Sequence, residues 1–261
     1  MGKELQDVVV VDAVRTAFGR AGEKGVFWHT RAEDLAVPLL KALIQRSPSL
    51  TPDHIEDNLW GVTNQVGEQG GTLGRMVSML ADWGWNVPGC SIDRMCASGL
   101  TTVGLGASYI ASHMADCLIA AGVEHMGHLP MGYMRDSHPR AEEVMGGPSA
   151  FAMGQTAENI HDQFPDLTKK MCDEYALGSQ RKAAAAIEQG KFRDMIIPVP
   201  APQADGSIKN IDQDQHPRPE TTLEGLSNLK TPFREHGRVT AGNASCLNDG
   251  AGAVFLMTRE K

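Results

Sequence analysis

Asp93-Arg94-Met95-Cys96-Ala97-Ser98-Gly99-Leu100 is the stretch from which the fold can be read, because it joins a predicted strand to a predicted helix around a cysteine. A short strand is expected just ahead of Cys96, a small-residue helix from Ser98 to about His113, and a fourth strand over residues 117–123. Upstream, the β-branched run Val8-Val9-Val10-Val11 lies between Asp7 and Asp12 and predicts an opening strand buried on both faces. Leu35, Leu39, Leu40, Leu43 and Ile44 recur at helical spacing over residues 31–45. Residues 58–62 form the second predicted strand, and the Gly-rich piece 67–74 leads into a helix through Met76 to Leu80. Strands alternating with helices predict an α/β sheet with helices packed on it.

The texture changes after Glu124. Residues 125–152 are rich in Gly, Met, His and Pro, and residues 197–219 form a proline-rich, irregular polar segment. Between them, residues 168–189 predict one long helix or a helix pair, with an alanine run at 183–186 of high helix propensity. Residues 250–257 return to an apolar strand pattern. The expected organisation is a first part over 1–124, an inserted region over 125–240 and a return strand within 241–261.

With 261 residues and 41% apolar composition, the chain can bury a substantial core. Its 24 basic and 32 acidic side chains give a net charge of −8, which argues against nucleic-acid and anionic-membrane partners. Residues 209–238 balance five Lys or Arg with five Asp or Glu, so an anionic ligand there must be met by individually placed groups. No apolar run approaches the roughly 20 residues that span a bilayer. The opening Met1-Gly2-Lys3-Glu4-Leu5-Gln6-Asp7 has no signal-peptide core, so a soluble, cytoplasmic protein is expected. Five cysteines without repeated spacing fit a reducing compartment.

Cys96 is the candidate nucleophile. Unpaired N–H groups and the dipole at a helix N-terminus favour a thiolate, and Ala97, Ser98 and Gly99 are expected to keep space open beside the sulfur. The alternative is a small buried hydrophobe, the commoner role of free cysteine. Cys117, within an apolar strand, is read as core, and no cysteine has metal-ligand spacing, so no metal is assigned. The Gly67–Gly74 piece lacks the Gly-Lys-Ser/Thr ending of a phosphate loop. His125 and His128 are read as ligands or, more commonly, hydrogen-bonded loop residues. The small residues of Thr240-Ala241-Gly242-Asn243-Ala244-Ser245 suit either a close ligand approach or a tight turn.

Together these segments resemble the thiolase family along the whole chain. The resemblance rests on Val10-Val11-Asp12-Ala13-Val14-Arg15-Thr16, Arg31-Ala32-Glu33-Asp34-Leu35, the Cys96 stretch, Gly122-Val123-Glu124-His125-Met126, Met153-Gly154-Gln155-Thr156-Ala157-Glu158-Asn159 and Val239-Thr240-Ala241-Gly242-Asn243-Ala244-Ser245 with Asn248-Asp249-Gly250-Ala251. Glu124-His125-Met126-Gly127-His128-Leu129-Pro130-Met131 and Arg218-Pro219-Glu220-Thr221-Thr222-Leu223-Glu224 are similar to the thiolase subunit of bacterial fatty-acid β-oxidation complexes.

The resemblance implies a thiolase-like fold, a mixed sheet with helices on both faces plus an inserted loop domain. It implies thiolytic cleavage of 3-ketoacyl-CoA by CoA, with Cys96 holding the acyl group as a thioester. Met153, Arg218, Phe233, Ala241 and Ser245 match positions that contact CoA: Arg218 near the adenine nucleotide, Met153 and Phe233 along the pantetheine, Ser245 on a pantetheine amide. CoA is then a substrate and no cofactor is permanently bound; a homo-oligomer and a β-oxidation partner subunit are implied. Ala152 stands where biosynthetic members place His. The Gly-His-Pro and Cys-x-Gly motifs of the family's C-terminal half do not occur, so a catalytically incomplete N-terminal half is expected. A ketoacyl synthase-like condensing enzyme and a non-catalytic CoA-binding module are the alternatives.

Overall fold

The computed structural model describes residues 4–134, 136–147 and 152–261. Readings that touch residues 1–3, 135 and 148–151, including the start of the chain and part of the 125–152 stretch, lie outside the described residues.

Two compact units result: Met1–Tyr133 with Arg193–Gln215 and Leu247–Lys261, and Met134–Phe192 with His216–Cys246. This division departs from the expected 125–240 insertion, because residues 193–215 lie with the first unit. There the backbone of Arg15 exchanges hydrogen bonds with Met195 and Ile197, 2.8 Å each. The Arg15 guanidinium grips both oxygens of Asp214 at 2.7 and 2.9 Å, a bidentate pair.

The first unit is built on β1 (Val8–Arg15), β2 (Gly19–Arg20), β3 (Asp57–Gly61), β4 (Cys90–Ile92), β5 (Cys117–His125) and β8 (Asn248–Thr258). They form one mixed sheet in the order β1-β8-β5-β3-β4, with β2 also on β8. β5 pairs β3 in parallel and β8 antiparallel, so Gly61 faces Gly122 and His125 faces Asp249. The period of two sorts the side chains. Cys117, Ile119, Ala121, Phe255 and Met257 enter one core with α1 (Ala32–Arg46) and α2 (Leu73–Leu80). Leu118, Ala120 and Leu256 enter another with Ile110 of α3 (Ser98–Ala111). Helices thus cover both faces. Cys117 is core as expected, and burial pushes its thiol up to about 11.

Two expectations need correction. β1 is an edge strand rather than one buried on both faces; its Val10 is 63% and Val11 43% exposed, beside a register shift before Asp12. A β-branched run reports strand propensity, not the number of neighbours, and the second interior strand beside β5 is β8, from the far end of the chain. The proline-rich segment is not irregular throughout: β6 (Val199–Pro202) and β7 (Ile208–Ile211) pair antiparallel. Val199 and Ala201 are buried while Pro200 and Pro202 alternate outward. A two-stranded ribbon tolerates prolines at alternate residues, because every second N–H of an edge strand points away from the partner and needs no acceptor.

The second unit is helical: α4 (Pro139–Val144), α5 (Met153–Gln163), α6 (Lys169–Glu188) and α7 (Leu223–Ser227). The 168–189 pattern resolves into a single helix. Thr168 and Thr222 cap α6 and α7, their hydroxyls accepting from the Met171 and Gly225 N–H groups at 3.2 and 3.1 Å.

Candidate functional site

Cys96 lies in the turn between β4 and α3, exposed. The turn is sharp because Met95 takes a left-handed conformation, φ 50°, uncommon for a side-chain-bearing residue. Such strain persists where the surroundings over-determine it, and here they do. The Met95 carbonyl accepts from the Ser98 N–H at 3.0 Å and the Ser98 hydroxyl at 2.6 Å. The Thr63 hydroxyl adds a third bond at 3.2 Å. Ser98 also accepts from the Arg94 N–H at 2.9 Å, closing the turn on itself.

Thr63 is held in its turn by Glu124 at the end of β5, whose carboxylate accepts from the Thr63 N–H at 2.8 Å and the Gln69 amide at 2.7 Å. Gln69, fully buried, accepts from the His125 N–H at 2.6 Å. Thr63, Gln69 and Glu124 therefore support the nucleophile candidate, a role sequence reading missed. Glu124 stood inside a quoted motif, but only the fold shows that it points back at the 63–69 loop.

The small residues after Cys96 do something other than keep space open. A side chain on Gly61 would strike the backbone of Ser98 and Gly99, and one on Gly122 would lie 3.2 Å from the Gly99 Cα. A glycine at the end of β3 and one within β5 thus let the start of α3 rest on the sheet backbone. Ser98 is buried and Gly99 half-buried, while Cys96 and Ala97 face outward. Among the described residues the Cys96 thiol has no hydrogen-bond partner, so this unit supplies a mount and a helix N-terminus but no base in contact.

The Gly67–Gly74 piece serves packing as well. A side chain at Gly74 would meet the Cys90 carbonyl, and Asn58 donates to the Gly74 carbonyl and Ser78 hydroxyl at 3.0 and 2.9 Å, locking α2 to β3.

Glu68, His125 and His128 are the one group among the described residues spaced to hold a metal, their ligand atoms within 4.8 Å of one another. Hydrogen bonds already occupy those atoms. His125, buried, accepts at Nδ1 from the His128 N–H at 3.0 Å and stands with Nε2 3.1 Å from the Phe27 carbonyl, which fits a neutral ring. His128 faces acceptors on both sides, Glu68 at 3.0 Å and the Trp28 carbonyl at 2.7 Å, which fits an imidazolium. Burial pushes the His128 pKa down, but the bonds to Glu68 and the Trp28 carbonyl and the charges of Glu68 and Asp249 outweigh it, so the net direction is up. Burial raises the carboxyl of Asp249, whose Oδ2 is unpartnered while Oδ1 accepts from the Gly127 N–H at 2.8 Å. The set reads as a hydrogen-bonded fastening of the 125–129 turn rather than an open metal site.

In the second unit, Met153 opens α5 and is 64% exposed, and Phe233 is 43% exposed with its ring against the backbone of Gly154. The fold thus brings these two candidates together. Ala241 and Ser245 are exposed on one loop. That loop is fastened from below: Asn243 donates to Asp173 and the Arg238 carbonyl at 2.9 Å each and accepts from the Thr240 N–H at 2.7 Å. Gly242 packs on Leu226 and Leu229, so its smallness serves packing. Arg218 is exposed, and its N–H is anchored to Gln180 of α6 at 2.8 Å.

The family model described as the thiolase N-terminal domain matches residues 8–260. A 3-ketoacyl-CoA thiolase of Idiomarina loihiensis is 39% identical over 98% of this chain and 66% of that protein. One of Vibrio parahaemolyticus is 38% identical over 100% of this chain and 66% of that protein. Among solved structures, the acetyl-CoA acetyltransferase of Bacillus anthracis superposes with a TM-score of 0.85 at 31% identity, over 99% of this chain and 67% of that one. The chain spans 66% of the length of those curated relatives, just under two thirds. On the match to almost its full length, together with the strand-to-helix mount of Cys96, the chain belongs to the thiolase family.

Proposed function

We propose that the protein works as an acyltransferase that cleaves 3-ketoacyl-CoA with CoA, with Cys96 as the acyl acceptor. The observation that carries this reading is the exposed thiol on a strained, multiply bonded turn at the N-terminus of α3. The sulfur attacks the 3-keto carbon, the bond to the α-carbon breaks, and acetyl-CoA leaves after protonation of its enolate. The thiol of a second CoA then takes the acyl group from Cys96. N–H groups at the helix start are suited to stabilising the oxyanion of each tetrahedral stage. The base and acid that the family resemblance implies belong to the Gly-His-Pro and Cys-x-Gly motifs, which this sequence lacks.

The five exposed residues of the second unit are proposed to take CoA as substrate, with no permanently bound cofactor: Met153 and Phe233 against the pantetheine, Ala241 and Ser245 beside its amides, Arg218 at the nucleotide. That unit is accordingly proposed as the CoA-binding region. A cytoplasmic homo-oligomer, with a β-oxidation partner subunit, completes the reading. No described helix is long and apolar enough to cross a membrane. Relatives named 3-ketoacyl-CoA thiolase support the substrate class.

The test is peptide mass spectrometry after incubation with acetoacetyl-CoA, with a thiolase C-terminal domain supplied in trans. The expected product is an acetyl thioester on the peptide that begins at Met95, lost in Cys96→Ser. An unmodified Cys96 under those conditions overturns the proposal and leaves a CoA-binding module as the reading.

A further inference from the structure

A second cysteine has the chemical company that Cys96 lacks. Cys172, near the start of α6, lies with Sγ 3.8 Å from Nε2 of His161 on α5, within reach of a thiol hydrogen bond. His161 turns its other nitrogen, Nδ1, toward Oε2 of Glu158 at 3.4 Å. Nδ1 is buried and has no closer partner.

Glu158 is 1% exposed and tied to the backbone, its Oε1 accepting from the N–H groups of Arg238 and Val239 at 2.8 and 2.7 Å. Burial pushes the Glu158 carboxyl up, yet those two N–H bonds and His161 outweigh it, so it is held below its ordinary value and stays ionised. An ionised carboxylate facing Nδ1 selects the tautomer with its proton there and leaves Nε2 unprotonated beside the sulfur. A nucleophile, a base in contact and a fixed carboxylate behind the base are the recurring parts of an assisted thiol.

We propose that Cys172 is a second acyl-accepting thiol, which takes the acyl group of an acyl-CoA thioester with His161 as general base and Glu158 as its orienting group. The step balances without an oxidant. His161 Nε2 removes the Sγ proton, the sulfur attacks the thioester carbonyl, and the tetrahedral intermediate expels CoA thiolate, which takes the proton from the imidazolium. The products are S-acyl-Cys172 and free CoA. Cys172 is half-buried rather than sealed in the core.

The thiol needs this help. Burial raises its pKa, the neighbouring Asp173 and Glu158 push it further, and Arg238 opposes only in part. Asp173, Glu158 and Arg238 are the charged groups of α5, α6 and the 238–239 segment that act on the thiol, with His161 beside it and Lys169 paired to Asp173 at 2.6 Å. Unassisted, Cys172 should be slower than an ordinary thiol at neutral pH. The proposal concerns a different cysteine from Cys96 and stands or falls apart from the thiolase reading.

The experiment incubates the full chain with acetyl-CoA and quantifies acetylation of the tryptic peptide 171–181, separately from the peptide holding Cys96. Cys172 is expected to acetylate readily at pH 7, with little gain by pH 9. His161→Gln should slow it about a hundredfold, the usual scale of general-base assistance, whereas Cys96→Ser should leave it unchanged. Should His161→Gln not fold, the wild-type pH profile decides alone: acetylation that climbs steeply toward pH 9 is that of an unassisted, raised thiol. That climb, equal rates in His161→Gln and wild type, or no acetyl group on Cys172 would each overturn the proposal.

Discussion

The two units hold themselves together by different physics. The sheet unit buries Trp60, Phe27 and Phe255 completely, amid a continuous set of aliphatic side chains on both faces of the sheet. The helical unit buries few apolar groups among its described residues, Leu177, Leu226 and Val239, and relies on two buried carboxylates. Glu158 clamps the backbone at Arg238 and Val239, while Asp173 binds Lys169 at 2.6 Å and Asn243 at 2.9 Å. Apolar burial is non-directional and cooperative, whereas a buried carboxylate acts at a few named bonds. The same difference separates the cysteines: Cys96 is mounted by backbone geometry, Cys172 is flanked by side-chain chemistry.

The largest loss is expected in the sheet unit. Phe255→Ala removes a fully buried ring from the interior strand β8 and should cost about 3–5 kcal/mol in denaturant unfolding. A loss below about 1 kcal/mol would show that the core does not carry that unit. Glu158→Ala should cost about 2–3 kcal/mol, the penalty of stranding buried donors. Its signature is local: hydrogen exchange at the Arg238 and Val239 amides should quicken while amides of β5 and β8 stay protected. Uniform loss of protection would mean that the two units unfold as one.

The smallest effect lies at His128. Its pKa is raised in the folded state, so it stabilises the fold fully below the ordinary histidine value near 6.5 and loses that contribution as pH rises through the raised value. His128→Gln should therefore narrow the stability difference between pH 6 and pH 9. A variant that keeps the wild-type difference would place the titration elsewhere.

Much of the sheet unit was legible because its elements announce themselves locally. The spacing of Leu35, Leu39, Leu40 and Leu43 is the period of a helix, and the uninterrupted Leu118, Ile119, Ala120 and Ala121 is an interior strand. The position of the candidate nucleophile Cys96 between a strand and a helix was legible, because a small-residue helix start beside a cysteine is a local pattern. Its supports were not. Thr63, Gln69 and Glu124 are spread over β5 and the 63–69 loop, and hydrogen bonds between distant residues leave no period in a sequence. His161 and Cys172 escaped for the same reason, being on successive helices whose facing sides are set by packing.

By itself, then, the sequence determined the alternating α/β order, the nucleophile candidate and, through its ordered motifs, the thiolase family, since each depends on neighbours along the chain. Tertiary structure alone decided that β1 is an edge while β8 is interior, that the glycines at 61, 99 and 122 bring α3 onto the sheet, and that Cys172 meets a base. Those outcomes depend on which distant surfaces come together, and burial and hydrogen-bond satisfaction select among them only once the chain has folded.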